Sequence, residues 1–302
     1  MKTLYLDCGM GAAGDMLTAA LLELLPDAEG FMTQLNALEI PGVTMQKEKV
    51  SKCGIGGTHI TVKVHGMGED ESMHEHAEEH SHVSGHEHHH HHHDSDHEHH
   101  DEHDHHEHHN PMAQDAVAGH EHHHHVHTHQ HHHHSGMHEI EHIVHHLPVS
   151  DKVKADILAV YGLIAEAESH AHGVPVTEIH FHEVGTMDAV ADVTAVCLLM
   201  EKIGPGQVIA SPVHVGSGQV RCAHGILPVP APATAYILRD VPIYGGEISG
   251  ELCTPTGAAL LKHFVTRFGS MPVMKTTAIG YGMGKKDFPA ANCVRALLGE
   301  TE

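Results

Sequence analysis

The chain lacks tryptophan altogether, and all aromatic residues together make up only 3% of it. Stacking platforms for nucleobases are therefore not expected. Basic residues are scarce too: 16 Lys and Arg stand against 40 Asp and Glu, for a formal charge of −24. With no basic patch and an anionic surface that repels phosphates, no nucleic-acid partner is expected. The six cysteines (Cys8, Cys53, Cys197, Cys222, Cys253 and Cys293) are scattered and include no CxxC pair. Free thiols in a reducing cytoplasm fit that spacing best. Long apolar runs are missing as well. No stretch approaches the roughly 20 apolar residues of a membrane span, so no membrane partner is expected. The opening MKTLYLDCGMGAAGDML has no charged region leading into an apolar one, so it does not read as a signal peptide.

Histidine is what the chain has in excess. There are 43, of which 35 fall between His65 and His146, leaving eight for everything else. That window also holds 18 Asp and Glu and no Lys or Arg, so the charge of −24 divides into −18 inside it and −6 outside. The pI of 5.9 stays mild because imidazoles, with a free pKa near ~6.5, protonate as pH falls and offset the carboxylates.

The 302 residues suffice for one large or two modest domains. Periodicity predicts a mixed α and β class, an α/β (α+β) domain interrupted by the histidine-rich insert. In residues 1–64, the first part of the α/β domain, Thr3–Leu6 reads as a strand, followed by a glycine-rich turn. Asp15–Leu25 and Glu29–Leu38 read as helices, and Thr58–Val64 as a strand. Residues 65–136 are low in large apolar side chains, so ordering them would lose entropy for little return; they are expected to be disordered without metal. Residues 137–302 form the remainder of the domain. Helices are expected at Glu139–Leu147, at Lys152–His172 with Ser150 as N-cap, at Met187–Ile203, Ala231–Arg239 and Pro255–Phe268. Strands are expected at Glu178–His182, Val208–Ala210, Val273–Thr277 and Val294–Leu298.

The insert is a metal ligand set by composition. His88, His89, His90, His91, His92 and His93 form one run, His122, His123, His124 and His125 a second, and His131, His132, His133 and His134 a third. Neutral imidazole suits Ni(II), Zn(II), Cu(II) and Co(II), and interleaved carboxylates raise the local cation concentration. Composition does not choose among these metals. A segment of this kind stores or buffers metal; it does not preorganise a reacting geometry, so catalysis is expected elsewhere.

His180-Phe181-His182-Glu183 is the sharpest compact cluster. On a strand His180 and His182 share a face, and Asp188 and Asp192 follow one helical turn apart on the next element. Such a set can hold a metal or do acid–base work; equally, it can be surface histidines beside first-turn acids favoured by the helix dipole. Asp7 ends an apolar strand before a glycine-rich turn, a favoured place for a functional carboxylate in α/β folds. Gly9, Gly11 and Gly14 resemble an anion-cradling turn, a weak signal alone. Asp15 also reads as a first-turn helix acid. His214 and His224 are candidates to line a cleft. Thr254 and Thr256 open a helix whose N–H groups suit a phosphate or carboxylate, although capping by Thr254 explains the pattern without a ligand.

Taken together, LYLDCGMGAAGDMLTAALLEL (4–24), KCGIGGTHITVKV (52–64), AEAESHAHGVP (165–175), IHFHEVGTMDAVADV (179–193), GSGQVRCAHGILPVPAPAT (216–234), ELCTPTGAALL (251–261) and GYGMGKKDFPAANCVRALLGE (280–300) resemble the LarC family of nickel-insertion proteins. The resemblance covers nearly all of the chain outside the insert, and a histidine-rich insert at this place is itself a family feature. It implies a cytoplasmic nickel chelatase, a lyase. The implied reaction inserts Ni(II) into pyridinium-3,5-bisthiocarboxylic acid mononucleotide, forming two Ni–S bonds and one Ni–C bond for the nickel-pincer cofactor of lactate racemase. It further implies CTP with Mg or Mn, and lactate racemase apoprotein as recipient. His180 and His182 are then expected as nickel ligands or proton acceptors, and Glu183 or Asp188 as the orienting group or base. Asp7, Asp15, His224, Thr254 and Thr256 are expected to hold the substrate or cofactor. The family's nucleotide-binding C-terminal part, roughly a hundred residues and an ordinary domain size, is expected outside this chain, as in the N-terminal product of a split gene. A separate C-terminal polypeptide is then an expected partner, and nickel storage or delivery to that partner is the alternative function. Self-association into a homo-oligomer is compatible with the sequence. An unrelated zinc hydrolase built on His180 and His182 is a remoter alternative.

Overall fold

The computed structural model describes residues 1–68, 136–179, 181, 187–222 and 224–302. The runs His88–His93, His122–His125 and His131–His134 lie outside the described residues, as do His180, His182 and Glu183.

Fourteen strands and seven α-helices occur among the described residues. Before the insert come β1 (Lys2–Asp7), α1 (Gly14–Leu22), α2 (Ala28–Asn36), β2 (Val43–Lys52), β3 (Ile55–Val64) and β4 (Met67–Gly68). After it come α3 (Met137–His146), α4 (Asp151–His172), α5 (Met187–Ile203), β5 (Gln207–Ala210), β6 (Val213–His214), β7 (Gly216–Ser217), β8 (Gln219–Cys222) and β9 (Gly225–Pro228). The chain closes with α6 (Pro232–Ile237), β10 (Ile243–Tyr244), β11 (Gly250–Glu251), α7 (Pro255–Phe264), β12 (Arg267–Phe268), β13 (Met274–Met283) and β14 (Cys293–Thr301).

One mixed sheet runs in the order β12-β5-β1-β14-β13-β3-β2, with β4 beside β3. β1 is central, pairing antiparallel with β14 and parallel with β5. Thr3, Leu4, Tyr5 and Leu6 are all buried, which explains why this strand reads as a continuous apolar run and does not alternate. Strands from both sides of the insert share the sheet: β3 meets β13 at Thr58 and Gly282.

Helix α1 lies directly on β13. A Cβ added at Gly280 would sit 2.0 Å from the Ala20 carbonyl oxygen, and one at Gly282 only 1.8 Å from that of Met16. Helix α4 begins at Ser150, whose hydroxyl accepts from the Val153 N–H at 3.2 Å, and stops at Gly173, left-handed at φ 67°. Its Val153, Ile157, Val160, Tyr161 and Ile164 face the core at helical spacing. Helix α5 is buried on most of its circumference, from Ala189 to Ile203. Each large aliphatic side chain taken into such a core contributes about 1.5–3 kcal/mol before entropy is counted.

Three expectations are corrected. The helix starting at Pro255 ends at Phe264, because Arg267–Phe268 pairs with β5 as a strand. Glu178 closes a 3-10 turn over Val176–Glu178, held by its N–H to the Pro175 carbonyl at 2.9 Å, so the expected strand does not begin there. β2, ten residues long, has no counterpart in the periodicity reading.

Candidate functional site

Two groups of side chains gather the candidate residues that are described. The first surrounds the end of β1. Asp7 lies opposite Arg295 in the β1–β14 register, and Arg295 clasps one Asp7 oxygen, Oδ2, through Nε at 3.0 Å and through Nη2. The other, Oδ1, accepts from the Gly9 N–H at 3.1 Å. The hydrogen bond that Arg295 itself donates to Asp7 is the main reason the Arg295 pKa rises. Beside it, His214 is 5% exposed and holds two loops: Nδ1 faces the Gly9 carbonyl at 2.9 Å and Nε2 the Gly245 carbonyl at 2.8 Å. Tyr244 stacks on the His214 ring at 4.6 Å and 11°. Burial first, then the nearby Asp7 and Cys8, push the Tyr244 hydroxyl up from its ordinary value. The Cys8 thiol is pushed well above the usual range by burial, by Cys253 and by Asp7, and burial takes Cys253 up to about 12.

The second group surrounds the start of α5. Asp188 and Asp192 sit one turn apart, as expected. Oδ1 of Asp188 is buried and has no hydrogen-bond partner among the described residues. Asp192 presses on α1: a Cβ at Gly14 would lie 2.6 Å from the Asp192 Cβ and 2.7 Å from its Oδ2. Tyr161 of α4 is fully buried alongside, and burial followed by Asp188 and Asp192 drives its hydroxyl pKa well up. Phe181, 2% exposed, meets the Tyr161 ring edge-on at 5.9 Å. The residues flanking Phe181 lie outside the described set.

The glycine-rich turn docks on protein backbone. The Ala12 N–H donates to the Leu252 carbonyl and the Thr254 N–H to the Ala12 carbonyl, each at 3.1 Å. Gly11, at φ 79°, leaves no room for a Cβ, which would meet the Leu252 oxygen at 1.9 Å. The start of α1 therefore faces the Asp192 carboxylate and the 251–254 segment, and the resemblance of Gly9, Gly11 and Gly14 to an anion cradle does not carry over. Asp15 stands in the first turn of α1. Thr254 caps α7, its hydroxyl accepting from the Gly257 N–H at 3.2 Å, and Thr256 is buried behind it. His214 and His224 face different partners: the His224 ring lies 4.8 Å from that of His172. Among the described residues, no group of three or more His, Cys, Asp or Glu is arranged to hold a metal ion. Nor is any helix there long and apolar enough to cross a membrane.

Sequence reasoning missed Arg295, Tyr161 and the double role of His214. Tyr161 falls on the apolar face of α4, so a polar hydroxyl was due to arrive in the core. Arg295 interrupts the apolar run of β14.

The model of the nickel insertion protein family matches residues 4–302. The chain belongs to that family. Among curated relatives, the pyridinium-3,5-bisthiocarboxylic acid mononucleotide nickel insertion protein of Clostridium kluyveri is 37% identical over 303 residues, covering 100% of this chain and 63% of the relative. The protein of the same name from Geobacillus kaustophilus is 33% identical over 305 residues, 99% of this chain and 60% of the relative. A putative nickel insertion protein of Dictyoglomus thermophilum is 31% identical over 300 residues, 99% and 61% respectively. The chain thus spans about three-fifths of the length of these nickel insertion proteins. No solved structure matches it.

Proposed function

We propose that the chain carries the nickel-transferring part of a cytoplasmic chelatase acting on pyridinium-3,5-bisthiocarboxylic acid mononucleotide. Nickel is substrate here. Ni(II) replaces the proton on ring C4 as the Ni–C bond forms, and two thiocarboxylate sulfurs supply the two Ni–S bonds. The displaced proton needs an acceptor in a dry site. The observation that carries this reading is the half-buried Asp188 at the entry of α5, whose buried Oδ1 has no described partner, shortly after the HFHEVG segment. A buried carboxylate oxygen without a donor is costly unless a cation or a proton meets it. In this reading His180 and His182 hold nickel or accept the proton, and Glu183 or Asp188 orients them or acts as base. Asp7 and Asp15 hold substrate from the β1 side, with His224, Thr254 and Thr256 as further substrate or cofactor contacts. The insert histidines collect nickel, and CTP with Mg or Mn drives the insertion. The recipient is lactate racemase apoprotein.

The test mixes the purified 302-residue chain with the mononucleotide, Ni(II), CTP and a divalent cation, and reads activation of lactate racemase apoprotein. Activation places the machinery within this chain. No activation, with nickel bound in quantity, supports the second reading: a nickel store or metallochaperone that needs the C-terminal polypeptide.

A further inference from the structure

We infer that His172 and His224 form a two-imidazole site for a first-row divalent cation, oriented by Glu168 and separate from the carboxylates at the start of α5. Glu168 and His172 are one turn apart on α4 and share a face. His172 Nε2 lies 3.3 Å from Glu168 Oε2, with the two side chains 35% and 17% exposed. The hairpin β8–β9 closes at the Cys222–Gly225 pair, so His224 belongs to its two-residue turn. That turn carries the His224 ring to 4.8 Å from the His172 ring, tilted by 48°.

The spacing has a chemical meaning. Two imidazoles that share one ion through M–N bonds of about 2.1 Å, at angles between square-planar and tetrahedral, have ring centres roughly 4.6–5.3 Å apart. The observed separation falls inside that interval, and the tilt is not that of a flat stack. The Glu168 contact is the second half of the pattern. A metal-bound histidine commonly donates its other N–H to a carboxylate, which fixes the tautomer and aims the ligand nitrogen. With Nε2 turned to Glu168, Nδ1 of His172 is the ligand atom. Nitrogen donors select nickel, copper, cobalt or zinc over magnesium and calcium.

The two protein donors described are fewer than a closed site needs, and such an open arrangement suits an ion in passage. Position supports a transit role: His172 is eleven residues beyond Tyr161 on the same helix, about 16 Å along its axis. An ion here is near, but not at, the carboxylates at the start of α5. The inference does not depend on the chemistry proposed for them.

The test is peptide-resolved carbethoxylation of histidine by diethyl pyrocarbonate on the full chain at neutral pH, with and without saturating Ni(II). His263, bonded through Nε2 to Asp156 at 3.0 Å, is the internal reference. Nickel is expected to slow modification of both His172 and His224 by about fivefold or more relative to that reference, as ligation removes the reactive nitrogen. Shared ligation makes the protection reciprocal: His172→Ala restores His224 to its nickel-free rate, and His224→Ala restores His172. Glu168→Gln, which preserves shape, is expected to raise the nickel concentration for half-protection by about tenfold. Full protection of His224 in the His172→Ala chain would overturn the inference, as would no protection of either histidine in the unmodified chain. Cofactor formation is not read in this experiment, so its outcome is independent of the insertion test.

Discussion

Asp7 and Asp188 occupy comparable places, one at the exit of a central strand and the other at the entry of a central helix, yet their surroundings are opposite. Asp7 meets an arginine across the sheet and a backbone N–H in its own turn. Asp188 is half-buried near Tyr161, and its buried Oδ1 has no described donor. A carboxylate already matched by a cation has little reason to move, and it serves as a fixed reference point. A carboxylate left short of donors in a dry place is prepared for a visitor. In the proposed function the pair separates positioning from reaction, and substitutions can challenge that division in order of expected effect.

The largest effect is expected from Asp188→Asn. If Asp188 takes or relays the C4 proton, cofactor formation drops by about 10²–10⁴-fold while the thermal transition stays near that of the parent chain. An equal loss in Asp7→Asn with no loss in Asp188→Asn would reverse the assignment.

Next is Gly14→Ala. The added methyl meets the Asp192 side chain at 2.6 Å, so α1 and α5 must separate or Asp192 must turn away. Destabilisation of about 1–3 kcal/mol is expected from a shift in the urea midpoint at unchanged slope. A neutral result would mean that the contact between α1 and Asp192 is loose.

A third experiment follows pH. Cys253 has a folded-state pKa raised from 9.0 to about 12 by burial. The folded chain keeps this proton where the unfolded chain has lost it. The contribution is therefore complete below pH 9 and is lost as pH climbs towards 12. Cys8 and Tyr161 are shifted in the same direction, so they add to the same alkaline loss. Unfolding titrations from pH 8 to 11 should show stability falling, and Cys253→Ala should make that fall shallower. An unchanged slope would remove Cys253 from the account.

The smallest effect belongs to Arg295→Gln. The Arg295–Asp7 pair is partly open to water, at 47% and 25% side-chain exposure, so its loss is expected to cost no more than about 1 kcal/mol by thermal unfolding. A much larger cost would mean that Asp7 becomes a buried, unmatched charge once its partner is gone, which would erase the contrast with Asp188.

Much of this architecture was legible wherever local rules decide it. The helix Met187–Ile203 matches its periodicity at both ends, and Ser150 caps α4 as its sequence position implies. Reading failed where partners are distant. Val265–Phe268 looks like a helical continuation, but Arg267 and Phe268 find backbone partners on β5. VTMQKEKVSK has too few apolar residues to announce β2, which is assembled by its register with β3. The site divides the same way. The Asp188–Asp192 spacing follows from helix geometry alone. The Asp7–Arg295 clasp depends on a cross-sheet register between residues 288 positions apart. Likewise, His214 looked like a cleft residue until its two carbonyl partners, from Gly9 and Gly245, were in place.

The close seating of α1 on β13 has a mechanical consequence. At Gly280 and Gly282 the helix backbone rests on the strand backbone with less than a methyl group between them. There is no lubricating layer of side chains to let one glide over the other, so α1 and the central sheet behave as a single rigid slab. In the proposed function, the mononucleotide must find its clearance elsewhere.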